Sequence, residues 1–231
     1  MFKKKCISLD PRLSMIAYLI DRCECLADIG CDHGRLGAFM LQADRCKRAT
    51  LTDISEASLR KARSLIGLLG LSDRVHFKVG DGLSALDEPA DVVVIAGMGG
   101  ATIAEIIRAG RKKLGDARLV LQPNVAAPEL RGALSACGYR IVGERVTQDG
   151  RRNYVIISAE PGESEYSLKQ QIVGPVLLQT LPAELLPYAK FRLRVAEKAL
   201  KGADRGGDVA QADALREEIS IWEDESACLQ Q

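Results

Sequence analysis

The sequence predicts an α/β fold, in which a doubly wound, mostly parallel sheet ends in an antiparallel hairpin and is followed by a C-terminal α-helical hairpin. Up to about residue 137, short apolar runs alternate with segments of helical periodicity, which is typical of a parallel sheet with helices on both faces. Two strand-like runs then flank Asp149-Gly150, a hairpin turn signal. The last third of the chain carries apolar residues at helical spacing.

The first half of the chain alternates three helices with three strands. Asp10-Pro11 supplies a cap and a first turn for the first helix, which we expect to pack against the sheet or lie over a ligand cleft. Ser55 caps the third helix and Gly70 ends it. In order, the pattern predicts a helix over 8–22, a strand over 25–29, a helix over 34–43, a strand over 49–53, a helix over 55–69 and a strand over 75–79.

The second half of the predicted sheet contains its most buried strand. The β-branched run over 91–96 is continuous, which is the mark of a central parallel strand covered on both faces. The remaining predicted elements are a helix ending near 113, a strand over 118–121, a helix over about 127–137, and hairpin strands over 139–146 and 153–158.

The end of the chain predicts two helices joined by a glycine-bearing loop. Two apolar stripes follow the 3, 4, 3 spacing of a coiled coil, and Gly206-Gly207 separates them. Pro187 is expected in the first turn of the first of these helices. The stripes consist of Leu186, Ala189, Leu193, Ala196 and Leu200, and of Ala212, Leu215, Ile219 and Trp222. We therefore divide the chain into residues 1–160, a ligand-binding domain, and residues 161–231, a polar linker with the helical hairpin.

Charge and cysteine content restrict the classes of function. The net charge is only +1, but residues 1–159 carry +6 and residues 160–231 carry −5. A basic body suits an anionic partner, although a mixed solvated surface explains the same balance. The seven cysteines form no C-x-x-C pair and the chain has two histidines, so we expect free thiols in a reducing cytoplasm and no metal site. No secretory segment follows the lysines at 3–5 and no stretch is long and apolar enough for a bilayer, so we expect no membrane association.

The loop after the first strand predicts the binding site. Asp28 ends that strand, and Gly30 and Gly34 allow a tight turn into a helix N-terminus. Asp32 stands where the dinucleotide fingerprint G-x-G-x-x-G has its second glycine. A carboxylate there repels a pyrophosphate and attracts a sulfonium or an ammonium group, which favours S-adenosylmethionine over NAD. The alternative is a structural turn that binds no ligand.

Acids also end the next two strands. Asp53, about 20 residues past the first glycine loop, is placed to accept hydrogen bonds from ribose hydroxyls. Asp81, in Gly80-Asp81-Gly82, is placed to accept one from an adenine amino group. Each acid alone is common at turns, but three at the ends of successive strands are harder to attribute to turns.

The loops after the fourth and fifth strands predict the place of reaction. Gly97-Met98-Gly99-Gly100 follows the central strand at the topological switch point, where Met98 contacts a base face or packs in the core. Gln122 and Asn124 either hydrogen-bond a nucleobase edge or form a proline-containing turn. His33 is a base or a loop imidazole that bonds the backbone. The aromatic Asn/Asp-Pro-Pro loop of adenine-N6 methylating enzymes is absent from the sequence.

These motifs together resemble the bacterial tRNA (adenine-22-N1)-methyltransferase family, which has the class I S-adenosylmethionine-dependent methyltransferase fold. Gly-Met-Gly-Gly together with Gln-Pro-Asn is fairly specific to this family, whereas the acids are shared by class I methyltransferases generally. Asp53 stands where glutamate is often expected and has a shorter reach. The segments that carry the resemblance are 27–34, 80–83, 95–100 and 121–124, together with 8–13 and 172–175, so that it runs through nearly the whole chain.

The resemblance implies a Rossmann-like seven-stranded sheet with the last strand antiparallel, and methylation of N1 of adenine 22 in the D arm of tRNA with S-adenosyl-L-methionine. We expect cofactor contacts from Asp28, Gly30, Cys31, Asp32, His33, Gly34, Asp53, Ile54, Asp81, Gly82, Ala96, Gly97 and Met98. We expect catalytic roles for Asp32, Met98 and Asn124. We expect phosphate contacts from Arg111, Lys112, Lys113, Arg151, Arg152, Lys190, Arg192, Arg194 and Lys198.

Two other functions fit the same residues. One is a methyltransferase for a protein amine or a small metabolite, and the other is a non-catalytic helical interaction module whose α/β body senses S-adenosylmethionine. The sequence fixes no oligomeric state and is compatible with a monomer.

Overall fold

The computed structural model describes residues 7–230 and contains a seven-stranded sheet flanked by helices. Cys6 and the lysines at 3–5 lie outside the described residues. The strands are β1 (Cys23–Ile29), β2 (Cys46–Asp53), β3 (Val75–Val79), β4 (Val92–Met98), β5 (Arg118–Pro123), β6 (Tyr139–Asp149) and β7 (Arg152–Pro161). The helices are α1 (Pro11–Leu19), α2 (Arg35–Gln42), α3 (Glu56–Leu68), α4 (Gly100–Leu114), α5 (Ala127–Ala136), α6 (Leu168–Ile172), α7 (Pro175–Thr180), α8 (Leu185–Gly206) and α9 (Val209–Cys228).

The sheet has the order β3-β2-β1-β4-β5-β7-β6. The pairs β3-β2, β2-β1, β1-β4 and β4-β5 are parallel, and β7 is antiparallel to both of its neighbours. The predicted Rossmann-like sheet with its last strand antiparallel is therefore confirmed. Since β1 and β4 are neighbours and the chain leaves them toward opposite edges, their carboxyl ends lie at the topological switch point.

Buried apolar strands and capped helices hold this arrangement together. Residues 92–95 of β4 are buried as predicted, and α1 packs against β5, β6 and β7. Asp10 Oδ1 accepts a hydrogen bond from the Leu13 N–H at 2.7 Å, and Ser55 Oγ accepts one from the Ser58 N–H at 3.2 Å. Both predicted caps are present, and the first of them fixes the start of the helix that carries Arg12.

Several boundaries differ from the prediction. Helix α1 is shorter, because it spans Pro11–Leu19 rather than 8–22. Strand β4 continues through Gly97 to Met98, which pairs with Pro123 past an irregularity in the register. The hairpin turn lies one residue later than predicted, since Asp149 still pairs with Arg152 and the turn is formed by residues 150–151.

The chain divides into two compact units, one ending at Glu165 and the other beginning at Tyr166. The second unit contains α6–α9, and α8 packs along α9 as a helical pair. Gly207, with a φ of 71°, ends α8 and begins the turn into α9. The buried positions of α8 differ from the predicted stripe, because Leu185 and Ala203 are buried while Leu186, Leu193 and Leu200 are half-buried. Pro187 lies in the first turn of α8, as predicted.

The interior of the second unit centres on Trp222, whose side chain is fully buried. Its ring meets the ring of Tyr188 edge-on, with centroids 5.9 Å apart. Trp222 Nε1 donates a hydrogen bond to Glu218 Oε1 at 3.2 Å, and Arg192 Nη2 binds the same oxygen at 2.7 Å. The aromatic pair and this carboxylate tie α8 to α9.

Within residues 7–230, no helix combines the length and apolar character needed to cross a bilayer. The same residues contain no group of three or more His, Cys, Asp or Glu side chains positioned to hold a metal ion. The six described cysteines are free thiols.

Candidate active site

A cavity of about 570 Å³ opens at the carboxyl ends of β1, β2, β3 and β4. This volume is in the range of small-molecule sites, which generally lie at the switch point of open α/β sheets. Its walls come from the loops after these strands and from α1, α2 and α4. The lining residues are Arg12, Leu13, Asp28, Ile29, Gly30, Cys31, Asp32, His33, Arg35, Leu36, Asp53, Ile54, Gly80, Asp81, Gly82, Ala96, Gly97, Met98, Thr102 and Ile106.

Two glycine loops give the cavity its shape. Gly30 has a φ of 70°, and a Cβ at this position would lie 2.3 Å from Met98 Cε, so the Met98 side chain lies directly against the Gly30 loop. Gly97 has a φ of 80°, where side-chain-bearing residues are strained. Both loops therefore need glycine, for close approach at Gly30 and for backbone conformation at both positions.

Asp28 is a buried carboxyl group on the cavity wall, with 5% of its surface exposed. Burial raises the pKa of Asp28 to about 7 because it penalises the charged form. The Arg12 guanidinium lowers this pKa, and Asp53 raises it to a smaller extent. A ligand that carries a positive charge into the cavity favours the ionised form of Asp28.

Asp53 organises the rim of the cavity with both of its carboxylate oxygens. Its Oδ2 accepts a hydrogen bond from the Asp32 N–H at 3.0 Å, and its Oδ1 accepts one from the Ser55 N–H at 2.9 Å. Each oxygen keeps lone-pair capacity for a further donor. Asp32 itself has a φ of 50°, and its side chain is 71% exposed. The bond from its N–H to Asp53 holds it in this conformation.

A histidine and a lysine lie beside Asp32. His33 Nε2 is 3.6 Å from Asp32 Oδ1 and 3.1 Å from Lys61 Nζ. Since an ammonium group only donates, a hydrogen bond between these two groups uses the lone pair of His33 Nε2. The contacts of His33 given by the structure are with side chains and not with the backbone, and its role stays a prediction.

A chain of hydrogen bonds connects α1 to the end of β4. Arg12 Nη1 donates to Gln122 Oε1 at 2.8 Å, and Gln122 Nε2 donates to Asn124 Oδ1 at 3.1 Å. Asn124 Nδ2 then donates to the Gly97 carbonyl oxygen at 2.7 Å. Gln122 is fully buried, and the Arg12 guanidinium also lies over the ring of Tyr154, 5.8 Å from its centroid. We call these three side chains, Arg12, Gln122 and Asn124, the amide relay.

The loops after β4 and β5 are also joined by their backbones. The Asn124 N–H donates to the Met98 carbonyl at 2.7 Å, and the Gly100 N–H donates to the Val125 carbonyl at 2.8 Å. A Cβ at Gly100 would lie 2.0 Å from the Ala126 carbonyl oxygen, so only glycine fits at the start of α4. The two loops therefore form one rigid wall beside the cavity.

The structure brings together most of the residues predicted to contact the cofactor. Twelve of the thirteen line the cavity, and Gly34 is the exception. Gly34 starts α2 with a φ of 65°, and a Cβ there would lie 2.9 Å from Ala62 Cβ, so it permits helix packing behind the cavity wall. Asn124 also lies outside the lining residues, although it is bonded to Gly97 on the rim.

Eight further lining residues were not predicted to contact the cofactor: Arg12, Leu13, Ile29, Arg35, Leu36, Gly80, Thr102 and Ile106. The sequence gives one indication that Arg12 lines the cavity, because Arg12 directly follows the Asp-Pro start of a helix that is expected over a ligand cleft. Thr102 and Ile106 lie in α4 one turn apart, on the side of the helix that reaches the cavity.

The cationic residues predicted to bind phosphates differ in their partners and in their exposure. Three of them have partners within the protein: Arg111 Nε donates to the Cys137 carbonyl, Lys113 Nζ donates to the Ser84 and Leu86 carbonyls, and Arg192 binds Glu218. Lys112 and Lys113 line a second cavity of about 470 Å³. The exposed members are Lys112, Lys113, Arg151, Arg152, Lys190, Arg194 and Lys198.

The residues of the larger cavity fit S-adenosylmethionine. This molecule carries a sulfonium, an ammonium and a ribose diol, and the cavity presents the buried carboxyl of Asp28 and the open lone pairs of Asp53. Asp81 lines the same cavity and is exposed. NAD fits less well, because its pyrophosphate would face Asp32 on the first loop.

Comparison with known proteins gives one matching family, two related sequences and one similar solved structure. A family described as a methyltransferase domain matches residues 9–157. The tRNA (adenine(22)-N(1))-methyltransferase of Bacillus subtilis is 29% identical over 222 residues, which covers 93% of each chain. A putative tRNA methyltransferase of Mycoplasma pneumoniae is 32% identical over 184 residues, or 76% of this chain and 84% of that protein. The crystal structure of Streptococcus pneumoniae Sp1610, a putative tRNA (m1A22) methyltransferase, in complex with S-adenosyl-L-methionine has a TM-score of 0.83 and 27% identity, covering 93% of this chain and 98% of that one.

Proposed function

Because the chain belongs to the methyltransferase domain family, we propose that it transfers the methyl group of S-adenosylmethionine to N1 of adenine 22 in the D arm of tRNA. One observation carries the proposal: carboxyl groups at the ends of three neighbouring strands, Asp28, Asp53 and Asp81, line a single cavity at the switch point. The Bacillus subtilis relative, named for this activity, is similar over nearly the whole chain.

The cavity residues bind and orient the cofactor, which supplies an electrophilic methyl group on a positively charged sulfur. Asp28 contributes negative charge from the buried wall, and Asp53 accepts hydrogen bonds from ribose hydroxyls. Asp81 accepts a hydrogen bond from the adenine amino group. The glycine loops at Gly30 and Gly97 leave room for these contacts, because no Cβ projects into the cavity from them.

The protein contributes mainly position to the methyl transfer. The N1 lone pair of adenine needs no prior deprotonation, so correct placement of donor and acceptor supplies most of the rate. N1 lies on the pairing edge of the base, so the adenine must be unpaired or flipped toward the cavity. The product base is cationic until its N6 proton leaves, and a carboxylate at Asp32 stabilises this charge.

We expect exposed cationic side chains to contact the phosphates of tRNA. The same proposal implies a cytoplasmic protein, because its partner tRNA is there. Arg151 and Arg152 occupy the tip of the β6–β7 hairpin, and Lys190, Arg194 and Lys198 lie on α8. Weakened tRNA binding at higher salt is expected from these contacts.

The direct test is methylation of tRNA transcripts by the purified protein with labelled S-adenosylmethionine. We expect label in 1-methyladenosine, at position 22, and none in a matched transcript with guanosine at that position. Label that survives nuclease treatment would instead indicate a protein or metabolite substrate. Cofactor binding without any transfer would support the non-catalytic interaction module. Either result would overturn the proposal.

Asp32 has a test of its own. Asp32→Ala is expected to lower kcat more than it weakens tRNA affinity, because the carboxylate acts on the charge of the product base. The measurement is kcat beside the dissociation constant for tRNA. An unchanged kcat would remove the assigned role from Asp32.

A further inference from the structure

The amide relay has a fixed direction. A guanidinium group only donates hydrogen bonds, so the Gln122 carbonyl oxygen must face Arg12. The Gln122 amide nitrogen then faces Asn124 and donates to its oxygen. The Asn124 nitrogen in turn faces the Gly97 carbonyl. The Gly97 carbonyl, which only accepts, requires this same orientation of Asn124, and Arg12, which is 110 residues away from Gln122 in the chain, reinforces it from the other end of the relay.

The buried position of Gln122 makes this orientation costly to reverse. Gln122 is 0% exposed, so a flipped amide would lose both of its bonds with no water to replace them. Its nitrogen would face the guanidinium and its oxygen would face the oxygen of Asn124. One arrangement of the relay is therefore strongly favoured over the other.

The relay leaves Asn124 with one open donor and one open acceptor. Its nitrogen carries two hydrogens, of which one is bonded to Gly97, and its oxygen has a second lone pair. Asn124 is exposed and is bonded to the rim of the cavity. A side-chain amide with an open donor and an open acceptor is complementary to adenine. In protein–nucleic acid contacts, such an amide donates to N7 and accepts from the N6 amino group as a bidentate pair. That edge of the base does not include N1.

We propose that Arg12 is a positioning residue for base recognition, because through Gln122 it holds Asn124 in the orientation in which Asn124 reads N6 and N7 of the target adenine. N1 then stays free to face the methyl donor. This inference rests on the proposed function and adds to it the edge by which the base is selected.

The test compares adenine with 7-deazaadenine at position 22 of otherwise identical tRNA transcripts. The analogue keeps N1 and N6 but lacks the N7 acceptor. At saturating S-adenosylmethionine, we expect the wild-type kcat/KM for adenine to exceed that for the analogue by about fivefold, the effect of one hydrogen bond. The same preference is expected in tRNA dissociation constants measured with S-adenosylhomocysteine, where no reaction takes place.

The variants are chosen so that general damage and loss of recognition give different results. General damage lowers kcat/KM for both transcripts and leaves their ratio unchanged. Asn124→Ala and Arg12→Met are expected to bring the ratio close to one. Gln122→Glu keeps the bond to Arg12 but has no donor for Asn124. It should therefore also bring the ratio close to one, although Arg12 is unchanged. Arg12→Lys retains a donor and should keep most of the wild-type ratio. Arg35→Met lies outside the relay and should leave the ratio unchanged.

Each result bears on one of the two proposals. If the wild-type protein methylates neither transcript, the proposed function fails. If it methylates both equally well, the function stands and recognition through N7 is wrong. If the wild type discriminates and Arg12→Met or Gln122→Glu discriminates equally well, Asn124 is not positioned by the relay, and the role of Arg12 is refuted.

Discussion

The buried carboxyl of Asp28 makes cofactor affinity depend on pH. Burial raises the pKa of Asp28 from its ordinary value of 3.8 to about 7, so part of the protein carries a neutral Asp28 in slightly acidic solution. A cationic cofactor favours the carboxylate, so binding releases a proton from the neutral fraction. Affinity for S-adenosylmethionine should therefore rise with pH and level off above the pKa. The contribution of Asp28 to folding has the opposite sign: it is fully present below about pH 4 and is lost as the pH rises toward 7.

The magnitude follows from the fraction of ionised Asp28. At pH 6, one unit below the pKa, about one tenth of the carboxyl is ionised, so the affinity should be about tenfold below its plateau, or about 1.4 kcal/mol. Titration calorimetry at pH 6 in two buffers of different ionisation enthalpy should detect the release of about 0.9 protons per cofactor bound. Measurements from pH 5.5 to 8 give the slope and the plateau.

Two variants separate Asp28 from its neighbours. Asp28→Asn should abolish both the slope and the proton release, whereas His33→Gln should keep them, although histidine side chains generally titrate in this range. Arg12 and Asp53, the charged groups that act on Asp28, remain in place in both variants. An affinity that is flat across this range, or a slope that persists in Asp28→Asn, would refute the reasoning.

Three further predictions concern stability, each measured by denaturant unfolding. Gly100→Ala places a Cβ against the Ala126 carbonyl and should cost about 1–3 kcal/mol, with a matching loss of activity. Arg131→Met should cost about 3–5 kcal/mol, because the fully buried carboxylate of Glu144, which lies 2.8 Å from Arg131 Nε, loses its ion pair. Adding Glu144→Leu to this variant should recover most of the lost stability. Trp222→Ala empties the interior of the second unit and should cost about 3–5 kcal/mol.

Each of these has a contrary outcome. A Gly100→Ala variant of wild-type stability would mean that the two loops are not rigidly joined. A double variant at Arg131 and Glu144 as unstable as the single one would mean that packing, and not the unpaired charge, determines the loss. A small effect at Trp222 would mean that the helical pair is held mainly by its polar contacts.

Local patterns in the sequence predict most of the fold because they follow from the periodicity of strands and helices. The bounds of β3 are as predicted, and the apolar run of β4 identifies the centre of the sheet. The pattern fails where backbone pairing continues past the apolar residues, as at Gly97 and Met98 of β4. It also fails in α8, where Leu185 rather than Leu186 is buried.

The candidate site could be predicted as far as it consists of strand ends. Asp28 and Asp53 lie in the last two residues of β1 and β2, and Asp81 follows β3 by two residues, so topology alone brings them together. Arg12 could not be placed in this way, because its contact with Gln122 depends on how α1 packs across β5, β6 and β7. Gly34 is predicted to contact the cofactor but does not line the cavity. A glycine in a sequence does not show whether it is needed for approach to a ligand or, as here, for positive φ and close helix packing.

The position of β7 between β5 and β6 has a consequence for synthesis on the ribosome. Strand β5 pairs with β7 through contacts such as Leu119 with Ala159, so its final neighbour is translated after β6. A nascent chain that stops before Arg152 exposes the apolar, unpaired border of β5, which is a surface prone to intermolecular strand pairing. Pairing of β7 with β5, once the segment up to Pro161 has left the ribosome, therefore removes this exposed border.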